Sequence, residues 1–369
     1  MGRRPIDTVA PDAAASTRGV VRDAVLRVHD ANFELKAGRI DVQAGLARVV
    51  WGRLDEIQPG DVINPLDVSK FFFEGRGAAR LPVALVRGRV FLTDSTSVEG
   101  VYVPIFRRGR FDQLDEPTSP FRPASQPGDG LVVCLALTCP VLPPAIVDDE
   151  PPVTAESAQG GVRFSASTGR VDWSVSAFRG FEAFPIYAIG TARPGERVVI
   201  RGTHPRFTMI GGDFETVRGQ WGVRGEVAAF VDDNFQSPAL AAVSGSSFDA
   251  GAGVDRKAGS YRVSATALYH RERYERSIAE PAGSASERDD LSLILSVDRS
   301  FGRERYQVRG FGVANMSEGS GFTRGIATAK LRDNVDLEGS VGWFIGRGAD
   351  LVGRFADSDF AYARLKYYF

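Results

Sequence analysis

Apolar and polar residues alternate along most of the chain from about residue 20 onward. Val335, Leu337 and Val341 share one parity, whereas Asp336 and Glu338 share the other. A period of two indicates β-strands with two different faces. Helical periodicity is hard to find outside one short stretch. The pattern therefore predicts an all-β protein.

Fifteen strands are predicted, and short turns alternate with long connections between them. The strands fall at 20–36, 40–52, 81–93, 96–106, 160–170, 171–184, 206–217, 219–231, 247–257, 260–272, 289–300, 303–314, 321–331, 335–346 and 357–369. The long connections fall at 53–80, 107–159, 185–205, 232–246, 273–288, 315–320 and 347–357. Short turns on one side and long loops on the other are typical of outer-membrane barrels. We therefore predict an antiparallel up-and-down transmembrane β-barrel over residues 20–369.

The two chain ends predict that one more strand precedes these fifteen. The final strand ends at Phe369, and an aromatic end of this kind resembles the signal that the outer-membrane assembly machinery recognises. Bacterial single-chain barrels have even strand numbers, so 16 strands are expected in the full protein. Residues 1–19, with Pro5 and Pro11, form an irregular segment that lacks the apolar region of a signal peptide. We expect that this segment is a truncated start.

Composition narrows the class of protein further. The net charge is −1, which argues against a nucleic-acid partner. The mean hydropathy of −0.13 fits a barrel, because the two faces of each strand cancel. Cys134 and Cys139 could form a local disulfide or stay as two unpaired thiols. Their C-x4-C spacing, without a second pair or a nearby His, argues against zinc.

The most distinctive stretch runs from Trp51 to the phenylalanines at 71–73. Asn64-Pro65 predicts a turn, and Asp67 suits the N-cap of a short helix through residues 68–72. The apolar side chains that follow need burial. Residues 53–80 could fold into the barrel and narrow the lumen, or pack as an outer loop. The residues assigned to this candidate constriction are Trp51, Asp55, Asn64, Pro65, Asp67, Phe71 and Phe72.

Charged residues on the polar strand faces are the candidate pore lining. They are Arg87, Arg89, Asp213, Glu215, Arg224, Glu226, Arg305, Arg309, Asp336, Glu338, Arg364 and Lys366. One interpretation is a charged wall that selects solutes. The other is cross-strand ion pairing, favoured because charges of opposite sign balance locally. The adjacent final strands, for example, bring Glu338 beside Arg364.

Catalytic patterns are weak. The chain has three histidines, and His270 shares a strand face with Ser264. Six residues along a strand span about 20 Å, too far for a nucleophile and its base. No phosphate-binding glycine loop, cofactor motif or metal motif is evident. We therefore expect a protein that is not an enzyme and holds no cofactor.

Two motifs carry a family resemblance. Trp51-Gly52-Arg53-Leu54-Asp55 and Asn64-Pro65-Leu66-Asp67, written W-G-x-x-D and N-P-x-D, resemble the start of an uncharacterised porin-like family of Gram-negative outer-membrane barrels. That family is similar in style to alginate-export porins. Residues 204–214 and 224–229 resemble its middle strands.

The resemblance implies an outer-membrane channel or transporter for small solutes or an apolar cargo. Its partners would be outer-membrane lipid and the assembly machinery, which meets the C-terminal strand, and homo-oligomers could form. Residues 107–159 would be a long outer loop. A secreted or surface β-rich binding protein is the main alternative, and an outer-membrane hydrolase is a weaker one.

Overall fold

A computed structural model describes residues 30–68, 75–110, 145–190, 199–237, 240–280, 283–346, 350, 352–356 and 359–368. The strands are β1 (Ala31–Ala37), β2 (Ile40–Ala47), β3 (Val83–Phe91), β4 (Thr96–Val103), β5 (Ala145–Asp149), β6 (Gln159–Thr168), β7 (Val171–Phe181), β8 (Ile186–Ile189), β9 (Val199–Thr203), β10 (Arg206–Arg218), β11 (Trp221–Gln236), β12 (Ala242–Ala258), β13 (Tyr261–Glu280), β14 (Gly283–Phe301), β15 (Tyr306–Asn315), β16 (Ser320–Arg332), β17 (Val335–Ile345) and β18 (Phe360–Tyr367).

Fifteen of these strands form one antiparallel sheet. Its order is β1-β2-β3-β4-β6-β7-β10-β11-β12-β13-β14-β15-β16-β17-β18. Each strand of this sheet therefore pairs with the sheet strand that precedes it along the chain, and β5, β8 and β9 lie outside the sheet. Each of the fifteen predicted strands has its counterpart, and the all-β, up-and-down architecture is confirmed. Within the described residues β1 and β18 are the two edges. The predicted start of the first strand, at 20–29, and Phe369 lie outside the described residues.

The predicted strand boundaries were wrong in two ways. First, β5, β8 and β9 form a separate three-stranded sheet in regions predicted as long loops. These strands have only four or five residues, too few for alternation to be recognised. Second, β11 to β14 run well into the predicted loops 232–246 and 273–288. In these extensions the outward-facing residues are charged, as in the Arg271–Glu287 ion pair. The alternation of apolar and polar residues therefore ends earlier along the strands than their backbone hydrogen bonding does.

The main sheet buries its polar face and exposes its apolar face. In β18, Leu365 is 65% exposed, whereas on neighbouring β17 Glu338 is only 6% exposed. On β14, Leu293, Leu295 and Val297 are exposed in the same way. A water-soluble sheet has the opposite arrangement, because apolar burial drives its folding. A solvent that is itself apolar would explain the burial pattern.

The exposed apolar surface has limits along the strands. On β13 it begins with Tyr261 and ends with Tyr269, and outward Arg271 and Arg273 follow. Eight residue steps of ~3.4 Å, on a strand tilted by about 40°, give a band roughly 21 Å tall. The band of outer-membrane barrels is about 25 Å tall. The outer face of β13 therefore has the dimensions of a membrane-spanning strand.

The sheet is strongly curved. Asp67 N–H donates to Ala79 O at 2.7 Å, four residues before β3 begins, and Val68 packs with Phe322 of β16 and Phe344 of β17. In a flat sheet β3 and β17 would be eleven strand spacings, or roughly 53 Å, apart. That distance exceeds what this short connection can bridge. The wall therefore wraps around the segment between β2 and β3.

Helical structure is minor. One short helix, Arg76–Ala79, and two 3-10 turns, Ala155–Ser157 and Gly353–Phe355, occur in the described regions. No helix there is long and apolar enough to cross a membrane.

Candidate pore interior and inner loop

Residues 48–68 and 75–82, here called the inner loop, fold on the concave side of the sheet. Asn64 organises the base of the loop, since its side chain accepts a hydrogen bond from Val49 N–H at 2.8 Å. The same amide donates to Ala47 O at 3.3 Å and Leu81 O at 2.8 Å. Pro65 O in turn accepts from Leu81 N–H. The Asn-Pro pair of the N-P-x-D motif thus joins the two stems of the loop.

Buried ion pairs support the same base. Asp61 Oδ2 accepts from Arg76 Nε at 3.1 Å and Arg80 Nε at 2.7 Å, and its side chain is fully buried. Asp67, at the other end of the motif, is also buried. The inner loop is therefore a folded unit that does not depend on the sheet alone for its shape.

Glu226 of β11 anchors the tip of the inner loop. One carboxylate oxygen accepts from Arg53 N–H at 3.0 Å and Leu54 N–H at 3.3 Å, and the other accepts from Gly60 N–H at 2.6 Å. Hydrogen bonds from neutral groups to a charged acceptor are stronger than neutral ones. Leu54 then packs on β12, where a Cβ at Gly251 would lie 2.4 Å from Leu54 Cδ1. Only glycine leaves room for this contact.

A network of charges surrounds that anchor. Arg53 of the inner loop pairs with Asp213 at 2.7 Å and Glu215 at 3.3 Å on β10. Arg224 of β11 pairs with Glu215 at 3.1 Å and reaches Asp55 of the inner loop at 2.5 Å. Four candidate pore residues and the loop residue Asp55 thus belong to one network. Most of its carboxylates already have partners.

Arg309 of β15 binds the inner loop from the other side. Its guanidinium pairs with Glu56 and lies 3.6 Å from Asp298. Burial raises the pKa of Glu56, and the Arg309 charge acts in the opposite direction. The inner loop is therefore held by charged side chains of β10, β11 and β15 together.

Trp51 ties the start of the inner loop to β4. Its Nε1–H donates to Glu99 Oε1 at 2.8 Å, and the indole is 1% exposed. The other oxygen of Glu99 binds Arg87 at 2.7 Å and Arg89 at 2.5 Å. Phe178 of β7 packs edge-on against the indole. Arg87 and Arg89 also line a cavity of about 180 Å³ next to β1.

A separate interior cluster lies on β17 and β18. Glu338 accepts from Arg364 and Lys366, each at 2.8 Å, and from Tyr362 Oη at 2.8 Å. The register places Asp336 opposite Lys366 and Glu338 opposite Arg364, as the sequence predicts. No described residue of the inner loop is among the hydrogen-bond or ion-pair partners of Glu338.

Other candidate residues lie elsewhere. Arg305 lies in the turn before β15, since this strand begins at Tyr306. Its predicted place on the strand face was wrong, because the predicted strand began at residue 303. Phe71, Phe72, Cys134 and Cys139 lie outside the described residues. Within the described ranges, no group of three or more His, Cys, Asp or Glu side chains could hold a metal ion.

Several interior residues were not among the sequence candidates. They are Arg53, Glu56, Glu99, Arg163, Asp255, Arg324 and Tyr362. Glu99 and Arg163 each occupy the inward parity of a predicted strand, and that parity could have identified them. Arg53 and Glu56 lie in the inner loop, where no parity applies.

Glu182 follows β7 at the end of the sheet where the long connections lie. Its N–H donates to Pro205 O at 2.9 Å, and its carbonyl oxygen lies 2.7 Å from His204 Nδ1. Burial, with a smaller contribution from the negative charge of Asp233, raises the pKa of Glu182 to about 8. This carboxyl group is therefore protonated near neutral pH.

This protein is a curved β-sheet whose apolar side chains face outward and whose polar side chains face inward, where they hold the inner loop. A family model matches residues 29–298, which is more than half of the chain. The chain belongs to this family, DUF1302, described as a protein of unknown function. The comparison with curated proteins gave no match.

The solved structures to which this chain is similar include an outer membrane protein and a porin. OmpT of Vibrio cholerae, an outer membrane protein in its trimer form, is 10% identical, covering 84% of this chain and 74% of that chain (TM-score 0.44). OccK3 (OpdO) of Pseudomonas aeruginosa is 12% identical, with 90% and 77% covered (TM-score 0.44). A mutant of the Rh. blastica porin is 12% identical, with 91% and 87% covered (TM-score 0.39).

Proposed function

We propose that this protein is an outer-membrane channel of the porin type, which passes small solutes or an apolar cargo through its lumen. The observation that carries the proposal is the inverted burial of the sheet, with apolar side chains outside and charged pairs inside. Large exposed apolar surfaces mark contact with a membrane or a partner. The apolar band on β13, roughly 21 Å tall, favours a membrane, because strands that span the outer membrane carry an apolar band of similar height.

The inner loop is the proposed constriction. Its ion pairs with β10, β11 and β15 hold it across the interior, so solutes would pass beside it. The pore-lining residues of the proposal are those interior charges, with Arg87, Arg89, Asp336, Glu338, Arg364 and Lys366 on the remaining wall. Most interior charges are paired, which supports a structural role for them more than a selective one.

The proposal includes several narrower points. The W-G-x-x-D and N-P-x-D motifs support a place in a porin-like family that is distantly similar to alginate-export porins, and their Asn64 and Asp67 shape the inner loop. The protein would carry out no catalysis. The assembly machinery would bind the C-terminal strand, residues 107–159 would form an outer loop, and homo-oligomers could assemble in the outer membrane.

Planar-bilayer conductance of the purified full chain tests the proposal. We expect discrete conductance steps from the wild-type protein. Glu226→Ala removes the acceptor for three loop N–H groups and should give larger or noisier steps. Glu338→Ala is the matched control, since it also removes one interior carboxylate but leaves the loop anchor intact.

Two results would contradict the proposal. One is inserted, folded protein that gives no conductance in wild-type or Glu226→Ala form. The other is a folded monomer that is stable in buffer without detergent, which would favour a soluble β-rich binding protein.

A further inference from the structure

Two outward-facing arginines near the short turns stack on aromatic rings. The guanidinium carbon of Arg256 lies 5.0 Å from the ring centre of Trp221, its cross-strand neighbour. That of Arg299 lies 4.7 Å from Tyr261, also its cross-strand neighbour, and 5.7 Å from Phe301. All five side chains are exposed on the outer face of β11 to β14.

These arginines lack a carboxylate partner among the described residues, in contrast to several interior arginines. Arg163 and Arg224 inside the sheet each pair with acidic side chains. Arg256 and Arg299 form no ion pair with a described residue of the chain. Stacking covers a flat face of a guanidinium and leaves the N–H donors at its edge unused. Such donors match a phosphate group in geometry and charge.

The spacing of the two arginines allows them to act together. Arg256 is opposite Val263 on β13, and Arg299 is opposite Tyr261, two residues away. Two strand spacings and a two-residue offset separate their Cα atoms by roughly 12 Å. Arg256 stacks over Trp221 of β11 and Arg299 over Tyr261 of β13, so a headgroup that lies between these two rings, above β12, is within reach of both guanidinium groups.

Apolar side chains adjoin this pair on the side away from the turns. Val254, Leu295 and Val297 all face outward and are 43%, 51% and 43% exposed. They would contact hydrocarbon, while the arginines would contact a group at the membrane surface. Aromatic side chains of outer-membrane barrels concentrate at this interface. A ligand with both an anionic head and an apolar chain fits the whole surface.

We propose that Arg256 and Arg299, with Trp221, Tyr261 and Phe301, bind the phosphate headgroup of an anionic phospholipid in the leaflet that surrounds the short turns. The adjoining valines and Leu295 hold its acyl chain. The site rests on the proposed membrane insertion, but it does not require conduction.

Native mass spectrometry of the full chain tests this site. The protein is released from detergent micelles that contain phosphatidylglycerol or phosphatidylcholine, with or without inorganic phosphate in the buffer. The number of lipid or phosphate molecules that stay bound to the protein is then measured. We expect more retained phosphatidylglycerol than phosphatidylcholine on the wild-type protein. Each arginine near an anionic membrane surface contributes about 1 kcal/mol, or about fivefold in affinity. Arg256→Gln with Arg299→Gln should therefore reduce phosphatidylglycerol retention to the phosphatidylcholine level.

Matched variants separate the site from general charge. Arg262→Gln removes an arginine at the same end of β13, but this one pairs with Asp255 at 3.3 Å. It should leave the lipid preference unchanged. Arg299→Lys keeps the charge and loses the planar donor edge, so it should retain an intermediate amount. Heat-modifiable migration in gels shows which variants are folded, and the single Arg256→Gln variant serves if the double variant is not.

Three outcomes would overturn the site. The first is that the wild-type protein retains phosphatidylglycerol and phosphatidylcholine equally. The second is that the arginine variants still prefer phosphatidylglycerol as strongly as the wild type does. The third is that inorganic phosphate fully displaces phosphatidylglycerol from the protein. Each leaves the proposed channel intact, provided that the protein still conducts. Failure to enter micelles at all would overturn the channel as well.

Discussion

Gly52 of the inner loop lies directly against Glu226 of β11. A Cβ at Gly52 would be 2.6 Å from Glu226 Oε1, and the glycine has φ +110, which L side chains rarely adopt. The glycine of the W-G-x-x-D motif therefore lets the backbone approach the carboxylate that holds the loop tip.

Gly52→Ala should loosen the inner loop for both reasons. Backbone strain of this kind costs on the order of 1–3 kcal/mol. We expect a lower urea midpoint in vesicles and faster cleavage of the loop by added protease. Gly77→Ala, in the short helix of the same loop, has open space around it and is the control. Equal effects of the two substitutions would show that the Glu226 contact is unimportant.

The tryptophans should report which face meets lipid. Trp343 is 50% exposed on the outer face, whereas Trp51 is buried against Glu99. In variants that keep only one tryptophan, brominated acyl chains should quench the fluorescence of Trp343 strongly and that of Trp51 weakly. Strong quenching of Trp51 alone would reverse the assignment of the two faces.

The raised pKa of the half-buried Glu182 predicts a pH-dependent stability. Its pKa is about 8 in the folded protein against an ordinary value of 4.5, so the folded state binds more protons between these pH values. Stability should therefore fall as pH rises through this window, by at most about 1.4 kcal/mol per pH unit. Glu182→Gln should flatten the dependence in urea titrations at several pH values. The exposed Glu156→Gln is the control, and an unchanged slope in Glu182→Gln would refute the assignment.

The Glu56–Arg309 pair should couple the inner loop to β15. A double-mutant cycle with alanine at both positions should give a coupling of about 0.5–1 kcal/mol, because both groups are only partly exposed. The more exposed Arg271–Glu287 pair, between β13 and β14, should give a smaller coupling, and it should lose that coupling in high salt. Larger coupling in the outer pair would argue against a clamped inner loop.

The sheet was predictable from the sequence because alternation is a local property. All fifteen strands of the main sheet were found, and the Glu338–Arg364 pairing followed from adjacent strands. The loop contacts were not predictable in this way. Arg53 meets Asp213, which is 160 positions away, and several other inward charges would have been equally suitable partners on parity alone. Arg305 was misplaced because alternation continues through a turn without a visible break.

The inner loop has a consequence for the order of folding. It lies near the start of the chain, yet Glu56 meets Arg309 across 253 residues of sequence. Hairpins between neighbouring strands need only short stretches of chain, whereas contacts of such separation are slow to form. We therefore expect the loop to wait, still unclamped, until β15 has joined the wall. Maturation would then end at the centre of the molecule, after its perimeter has been built.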